Sequence, residues 1–327
     1  MDSESCEQQD SESATSVEEV TEAREGKNVI HTHLGPVYEF EATEENIPMH
    51  PSILAAGKRR TGKSTSLDNL MEKTMQHIPF GIVMTETKMN GFWQTRVPER
   101  FVFQGWREDI LIKLVERQKM MIKKYGKEDP RTFAFIVLDD VIADQKAIRW
   151  SKTINSFFVE GRHINITVLL TTQYMKGIGP MVRGNMDIVF LQPIYSLLDR
   201  QTIQELYGGF LPKKDFMQLM DEIVMTEEQP GSTAYDPKLK VRIMVVQDWR
   251  QTCDVSLKFK YWVPVHSKEV PPYRLCHPDY WKKSAEEEID DLVTRPPRKA
   301  LVDTIDEVSI LSGVSAHTYK LGDGAQL

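Results

Sequence analysis

A glycine-rich segment with the sequence GKRRTGKS occupies residues 57–64 and has the spacing of a phosphate-binding loop. Its two glycines, Gly57 and Gly62, permit backbone conformations in which successive N–H groups point at one anion. Lys63 would place a positive charge beside the β- and γ-phosphates, and the Ser64 hydroxyl would ligate Mg²⁺. The residues expected to line the nucleotide are Gly57, Arg60, Thr61, Gly62, Lys63, Ser64 and Thr65. The segment predicts an ATP site with Mg²⁺; the alternative is a glycine- and lysine-rich surface turn.

Two adjacent carboxylates, Asp139 and Asp140, follow the apolar segment FIVL. An apolar strand that ends in an acid places the carboxylate at the strand's carboxyl edge, where a nucleotide-bound Mg²⁺ needs a ligand. We therefore expect Asp139 to lie on the metal side and Asp140 to polarise the attacking water. The alternative is a strand end with two solvated acids.

Three further polar side chains are candidates for catalysis. Gln173 ends a second apolar strand with the sequence TVLLTTQ, and it would lie near the γ-phosphate if that strand neighbours the one before Asp139. Arg162, in the segment GRH, and Arg183 are each candidates to reach the nucleotide of a neighbouring subunit. For both arginines a surface role is the alternative, and His163 is assigned to packing or capping.

The elements that must position these residues alternate between apolar strands and amphipathic helices. The predicted strands are 52–56, 80–84, 101–103, 132–138, 166–170, 187–191, 231–235, 240–246 and 258–263, and the predicted helices begin at 64 and span 107–125, 147–159, 197–206 and 213–223. One or two strands are expected within 29–40. Alternation predicts an α/β fold with a largely parallel sheet, helices on both faces and antiparallel edge strands late in the chain.

The domain organisation follows from composition. Residues 1–28 are rich in serine and glutamate and hold nine acidic and two basic side chains, and we expect them to form a disordered acidic tail. Residues 29–264 are predicted to be the nucleotide-binding domain. Residues 265–327 are predicted to be a mostly irregular tail, with a short helix at 284–292.

The overall charge does not exclude a nucleic-acid partner. The net charge of −7 resides in the first 28 residues, so the remainder of the chain is neutral overall. Whether that remainder binds nucleic acid then depends on local basic patches and not on the total charge. No run of 18 apolar residues occurs, so no membrane span is expected. Three scattered cysteines, Cys6, Cys253 and Cys276, lack metal-ligand spacing and fit a reducing compartment.

In order along the chain, the segments AAGKRRTGKST, FIVLDD, EGRHINITVLLTTQ and VRGNMDIVF resemble those of viral genome-packaging ATPases of the FtsK–HerA superfamily. Such proteins occur in poxviruses, iridoviruses and related large DNA viruses, and in virus-like transposons. The GRH segment followed by a strand that ends in TTQ is the most discriminating part. The resemblance covers residues 53–249. Asp140 departs from the glutamate of cellular relatives, which leaves the hydrolytic base less defined.

The resemblance implies a RecA-like P-loop ATPase that forms a homo-oligomeric ring and moves double-stranded DNA into a capsid, with capsid or portal proteins as partners. It implies that Lys63 and Ser64 contact phosphate and Mg²⁺, that Asp139 holds the metal, that Asp140 activates water and that Gln173 is a sensor. It also makes Arg162 or Arg183 an arginine finger that acts in trans. The expected location is intracellular, in the host cytoplasm or nucleus, with association with the virion as a further possibility.

Two other functions share these motifs. A cellular or transposon-encoded helicase or DNA pump would have the same core, and strand separation would distinguish the helicase. A nucleotide-dependent scaffold would bind ATP without moving DNA, and DNA-stimulated turnover would exclude it.

Overall fold

The computed structural model describes residues 28–43, 46–141, 152–224 and 242–282. The strands are β1 (Val29–Thr32), β2 (Gly35–Tyr38), β3 (Ser52–Ala56), β4 (Phe80–Thr85), β5 (Val102–Gln104), β6 (Ala134–Asp139), β7 (Ile166–Thr172), β8 (Ile188–Leu191), β9 (Ile243–Gln247) and β10 (Phe259–Trp262). The helices are α1 (Lys63–Thr74), α2 (Glu108–Tyr125), α3 (Lys152–Glu160), α4 (Pro180–Arg183), α5 (Leu197–Tyr207), α6 (Lys213–Val224) and α7 (Val255–Lys258).

Eight strands form one sheet in the order β10-β9-β8-β3-β7-β6-β4-β5, flanked by helices. The six strands from β8 to β5 are parallel, and β9 and β10 add to the β8 edge in antiparallel orientation. Every residue of β3, β4, β6, β7, β8 and β9 is buried, as expected of central strands covered on both faces. The predicted α/β class, the parallel sheet and the antiparallel edge are confirmed.

The strand order brings three polar loops to one edge of the sheet. β7 lies between β3 and β6, with Ala56 beside Thr172 in one ladder and Asp139 beside Thr171 in the other. Parallel strands in register end at the same level, so residues 57, 140 and 173 leave the sheet together. Open α/β sheets bind ligands at this carboxyl edge.

Most strand boundaries differ from those predicted by one to three residues, and two of the differences have a local reason. The strand predicted from residue 132 begins at Ala134, because residues 130–132 form a 3₁₀ turn in which the Thr132 hydroxyl donates to the Asp129 carbonyl. The strand predicted to end at residue 170 continues to Thr172. Thr171 and Thr172 stay in the buried ladder because their hydroxyls donate to Asp139 and to the Tyr174 carbonyl.

Some predicted elements lie outside the described residues. These are the tail up to residue 27, the start of the helix at 147–159, the strand at 231–235 and the helix at 284–292. The segment expected at 29–40 forms the β1–β2 hairpin, and Phe40 just after it packs edge-on against Phe190 and Trp262.

Residues 265–282, which the composition assigns to an irregular tail, pack on the sheet layer. The backbone N–H groups of Leu275 and His277 donate to the carbonyls of Arg96 and Pro79. The ring of Tyr280 packs edge-on against Phe80 and Phe101 at centroid distances of 6.0 and 5.1 Å. We propose that the folded unit extends through this segment.

Candidate active site

The glycine-rich loop leaves β3 in a conformation that only these glycines allow. A β-carbon at Gly57 would lie 2.5 Å from the β-carbon of Gln192, a distance that real side chains do not adopt. Gly62 has a φ of 94°, in the left-handed region, and is the N-cap residue of α1, which begins at Lys63. The predicted strand, loop and helix are therefore all present, with the N-terminus of α1 facing the loop.

The Lys58 carbonyl is the internal anchor of the loop. It accepts hydrogen bonds from the Thr61 hydroxyl at 2.8 Å and from the Lys63 ammonium at 3.1 Å. Arg60 has a φ of 63°, a left-handed conformation that is uncommon for a residue with a β-carbon. Lys58, Arg59 and Arg60 are all exposed.

Lys63 joins the loop to the carboxylates that follow β6. Its side chain is 6% exposed, and its Nζ lies 3.7 Å from Oδ2 of Asp140. Burial lowers the pKa of the Lys63 ammonium, and the carboxylates of Asp140 and Asp139 oppose that shift. Lys63 thus supplies a buried positive charge at the loop, next to two carboxylates.

Asp139 is buried among hydrogen-bond donors at the end of β6. Its carboxylate accepts from Ser64 Oγ at 3.2 Å, from Thr171 Oγ1 at 2.8 Å and from Trp93 Nε1 at 2.9 Å. Burial raises the pKa of the Asp139 carboxyl, and the three donated bonds act in the opposite direction. The sequence thus placed Asp139 and Ser64 together correctly, although they are 75 residues apart.

The pair of Ser64 and Asp139 suits a hard divalent cation. A hydroxyl and a carboxylate are oxygen donors, and Mg²⁺ in nucleotide sites takes one or two such side chains together with phosphate oxygens and water. Among the described residues there is no group of three or more His, Cys, Asp or Glu side chains that could hold a metal alone.

Asp140 and Gln173 face each other across the gap between β6 and β7. Gln173 Nε2 donates to Asp140 Oδ2 at 3.1 Å, and the Asp140 backbone N–H donates to Thr171 Oγ1 at 2.8 Å. Asp140 has a φ of 57°, in the left-handed region, and the carboxylates of Asp139 and Asp140 both accept from Thr171 Oγ1. The Asp140 side chain is 30% exposed, which leaves it open to water.

The two candidate arginines have different places in the fold. Arg162 is exposed in the 3₁₀ turn Gly161–Ile164, directly before β7, and so lies at the amino edge of the sheet. The seven residues of β7 separate the two edges by about 23 Å at 3.3 Å per residue. Arg183 ends α4, and its Nη1 donates to the Met175 carbonyl at 3.2 Å. Arg162 thus lies far from the loop of its own chain, whereas Arg183 is held by a carbonyl two residues after Gln173.

The remaining loop residues contact neighbouring segments. Thr65 Oγ1 accepts from the Ser267 hydroxyl at 3.1 Å, which ties the start of α1 to the segment 265–282. Asn69, one turn further along α1, both donates to and accepts from the backbone of Val265 at 2.9 Å. The C-terminal segment therefore covers the outer side of the helix that follows the loop.

Three residues that the sequence analysis did not assign to the site take part in it. Trp93 and Thr171 hold the Asp139 carboxylate, and Gln192 contacts Gly57 and donates to the Ser66 hydroxyl at 2.8 Å. Gln192 directly follows β8, so the same signal that identified Asp139 and Gln173, a polar side chain at the end of an apolar strand, would have found it. Trp93 had no such signal because it lies in a 3₁₀ turn between strands.

Within the described residues, no helix has the length and apolar character needed to cross a membrane.

Comparisons with known proteins agree with the motifs. Residues 43–196, which contain the loop, Asp139, Asp140 and Gln173, match the family described as Poxvirus A32 protein. An uncharacterized protein of Acanthamoeba polyphaga mimivirus is 32% identical over 174 residues, which cover 50% of this chain and 60% of that protein. An uncharacterized protein of Invertebrate iridescent virus 6 is 33% identical over 162 residues, which cover 49% of this chain and 61% of that protein.

The chain thus spans about three-fifths of the length of these two relatives. Among solved structures, the genome packaging NTPase of Sulfolobus turreted icosahedral virus 2, in complex with ATP-gammaS, is 14% identical with a TM-score of 0.45. That match covers 67% of this chain and all of the other. The resemblance to proteins of large DNA viruses that the motifs predicted is confirmed by the family match and the viral relatives.

Proposed function

We propose that this chain, whose residues 43–196 match the poxvirus A32 protein family, is an ATP-hydrolysing motor that translocates double-stranded DNA and packages a viral genome into a capsid. The observation that carries the proposal is the contact network at the carboxyl edge of the sheet. It joins the loop lysine to the carboxylates and the amide that hydrolysis requires, all inside the region of the family match.

ATP is the substrate that this edge would accept. The backbone N–H groups of residues 57–64, the Lys63 ammonium and the N-terminus of α1 offer positive potential for a triphosphate. Ser64 and Asp139 would hold the Mg²⁺ that accompanies it, and the metal would neutralise charge on the phosphate oxygens. Arg60, Thr61 and Thr65 complete the proposed lining of the nucleotide.

Hydrolysis would use Asp140 as the general base. A water oxygen forms a bond to the γ-phosphorus as the bond from that phosphorus to the β–γ bridging oxygen breaks, which releases ADP and phosphate. The proton that the water loses passes to the Asp140 carboxylate, which its 30% exposure leaves accessible. Gln173 would orient the water and respond to the loss of the γ-phosphate.

A neighbouring subunit would supply the remaining positive charge. Arg162 is exposed at the amino edge of the sheet, whereas Arg183 donates to a carbonyl of its own chain. The placement favours Arg162 as the arginine that reaches across to a partner's triphosphate. A homo-oligomeric ring, in which the amino edge of one subunit meets the carboxyl edge of the next, satisfies this requirement.

The proposed cargo is double-stranded DNA, gripped through phosphates without readout of bases. Capsid or portal proteins are the proposed partners, and the infected host cell, in its cytoplasm or nucleus, is the proposed location.

Duplex DNA is expected to stimulate ATP turnover by the wild-type chain. Lys63→Ala should lower turnover at least about 100-fold, because it removes the ammonium that contacts the triphosphate. Initial rates with and without linear duplex DNA measure both effects. Separation of the strands would favour a helicase, turnover that DNA leaves unchanged would favour a nucleotide-dependent scaffold, and the absence of turnover would contradict the proposal.

Mixing two inactive variants tests the role of Arg162 in trans. Lys63→Ala and Arg162→Ala should each be inactive alone. Random mixing in equal amounts should restore about a quarter of the wild-type rate, since that share of interfaces pairs an intact Lys63 with an intact Arg162. Arg183→Ala is the matched control: it keeps Lys63 and Arg162, so it should be active alone, and mixing it with Lys63→Ala should give no more than the average of the two separate rates. An Arg183→Ala chain that is inactive alone and rescued by mixing, together with an Arg162→Ala chain that is active alone, would reverse the assignment.

A further inference from the structure

The loop carries two arginines and a lysine inside the phosphate-binding motif, and the roles given so far leave Arg59 unused. Its Nε donates to Oε1 of Gln173 at 3.2 Å, although the two residues are 114 positions apart. Arg59 is also close enough to Lys63 for its charge to lower the pKa of that ammonium. The Arg59 guanidinium therefore lies beside both the loop lysine and the amide at the end of β7.

The contact with Arg59 continues through Gln173 to the proposed base. Gln173 accepts from Arg59 through Oε1 and donates to Asp140 Oδ2 through Nε2 at 3.1 Å. Asp140, at the end of this series of hydrogen bonds, carries the carboxylate that would take the proton from water. A base that is itself oriented by a second group is the usual arrangement around an activated nucleophile.

The amide of Gln173 has two chemically different ends, and Arg59 determines which end faces Asp140. Arginine has only donors, so it pairs with the amide oxygen and leaves the NH₂ group for the carboxylate. A rotation of the amide by 180° would bring Oε1 against Asp140 Oδ2, where two acceptors repel. Arg59 thus strengthens the preference that the Asp140 carboxylate already imposes on the amide.

The backbone beneath Arg59 is held in place. The preceding carbonyl, that of Lys58, accepts from both Thr61 and Lys63, and the left-handed turn at Arg60 closes the loop immediately afterwards. The guanidinium therefore extends from a fixed point, which lets a single hydrogen bond orient the amide.

The contribution of this contact to stability should be small, because Arg59 is exposed and exposed polar pairs contribute about 0–1 kcal/mol. Its contribution to catalysis should be larger. A triphosphate and a neighbouring subunit would cover the site, and electrostatic interactions strengthen where water is displaced. We therefore expect replacement of Arg59 to lower turnover and to leave the stability of the fold nearly unchanged.

We propose that Arg59 is a positioning residue that acts through Gln173 to hold Asp140 for hydrolysis. The inference rests on the proposed ATPase function. It adds a residue of the phosphate-binding loop that positions the general base.

A double-mutant cycle over Arg59→Ala and Gln173→Ala tests this role. Arg59→Ala should lower kcat about tenfold to hundredfold, less than the loss of the whole general-base contribution of about 10²–10⁴-fold, and should change KM for ATP less than about threefold. In the Gln173→Ala background Arg59→Ala should lower kcat less than about threefold, because the side chain through which Arg59 acts on Asp140 is already absent. The melting temperature of each variant verifies that the fold is kept.

Two further variants sharpen the comparison. Arg59→Lys keeps the charge and one donor, so partial recovery of kcat is expected. Lys176→Ala removes an exposed charge just after β7 and should leave kcat within about twofold. Equal fold-losses from Arg59→Ala in both backgrounds, or an effect on KM alone, would overturn the proposal while wild-type turnover still supports the function. A wild-type chain that binds ATP and does not hydrolyse it would overturn both.

Discussion

Asp140→Asn should reduce kcat for ATP by about 10²–10⁴-fold, the range that general-base catalysis contributes. Asparagine has the shape of aspartate and can still accept from Gln173 Nε2, but it cannot take a proton from water. Because Lys63 lies 3.7 Å from Asp140, the loss of one carboxylate there should leave nucleotide affinity the same or slightly higher. Steady-state turnover and binding of a non-hydrolysable ATP analogue separate these two effects.

A surface variant provides the control for this change. Asp109→Asn makes the same chemical substitution at an exposed position near the start of α2, where the carboxylate pairs with Arg107. It should leave both turnover and affinity unchanged. If Asp140→Asn keeps kcat within about tenfold of wild type, Asp140 is not the base and another group or the substrate itself accepts the proton.

Arg96→Met should lower the free energy of unfolding by about 3 kcal/mol, because it leaves a buried carboxylate without its cation. Asp68 on α1 is fully buried and accepts from Arg96 Nε and, at 2.7 Å, from Arg96 Nη2. The Tyr273 hydroxyl also donates to Asp68 at 2.7 Å and would remain, so the loss should fall near the lower limit for a broken buried pair. Denaturant unfolding of the two proteins measures the difference.

The exposed pair between Arg107 and Asp109 again offers a comparison. Arg107→Met should cost less than about 1 kcal/mol, because both charges are already solvated. Combining Asp68→Asn with Arg96→Met should recover part of the loss, since no isolated charge is then buried. A loss below about 1 kcal/mol from Arg96→Met alone would show that water or Tyr273 suffices to satisfy Asp68.

The Arg96 pair also connects stability to the site. The same 3₁₀ segment, Trp93–Thr95 with Arg96 as its C-cap, carries the indole that donates to Asp139. One short segment thus fixes α1 through Asp68 and the metal-side carboxylate through Trp93. No local sequence pattern predicts either contact, because each joins residues that are far apart in the chain.

Local rules were enough to identify most of the site. The glycine spacing of residues 57–64, the acids after the FIVL strand and the amide after the TTQ strand each express chemistry within a few residues. The parallel sheet followed from the alternation of apolar strands with amphipathic helices, since a helix between two strands returns the chain so that the next strand runs in the same direction. The lengths of β6 and β7 were misjudged by one to two residues, because a threonine hydroxyl can either end a strand or be satisfied inside it.

The sequence by itself determined the α/β fold class, the form of the phosphate loop and the side chains with chemistry at the strand ends, because each depends on neighbouring residues. Only the tertiary structure decided that β7 lies between β3 and β6, that Arg59 meets Gln173, and that Arg162 lies at the opposite edge of the sheet. Those facts depend on strand order and register, and these are set by packing between residues 30 to more than 100 positions apart, which no local pattern encodes.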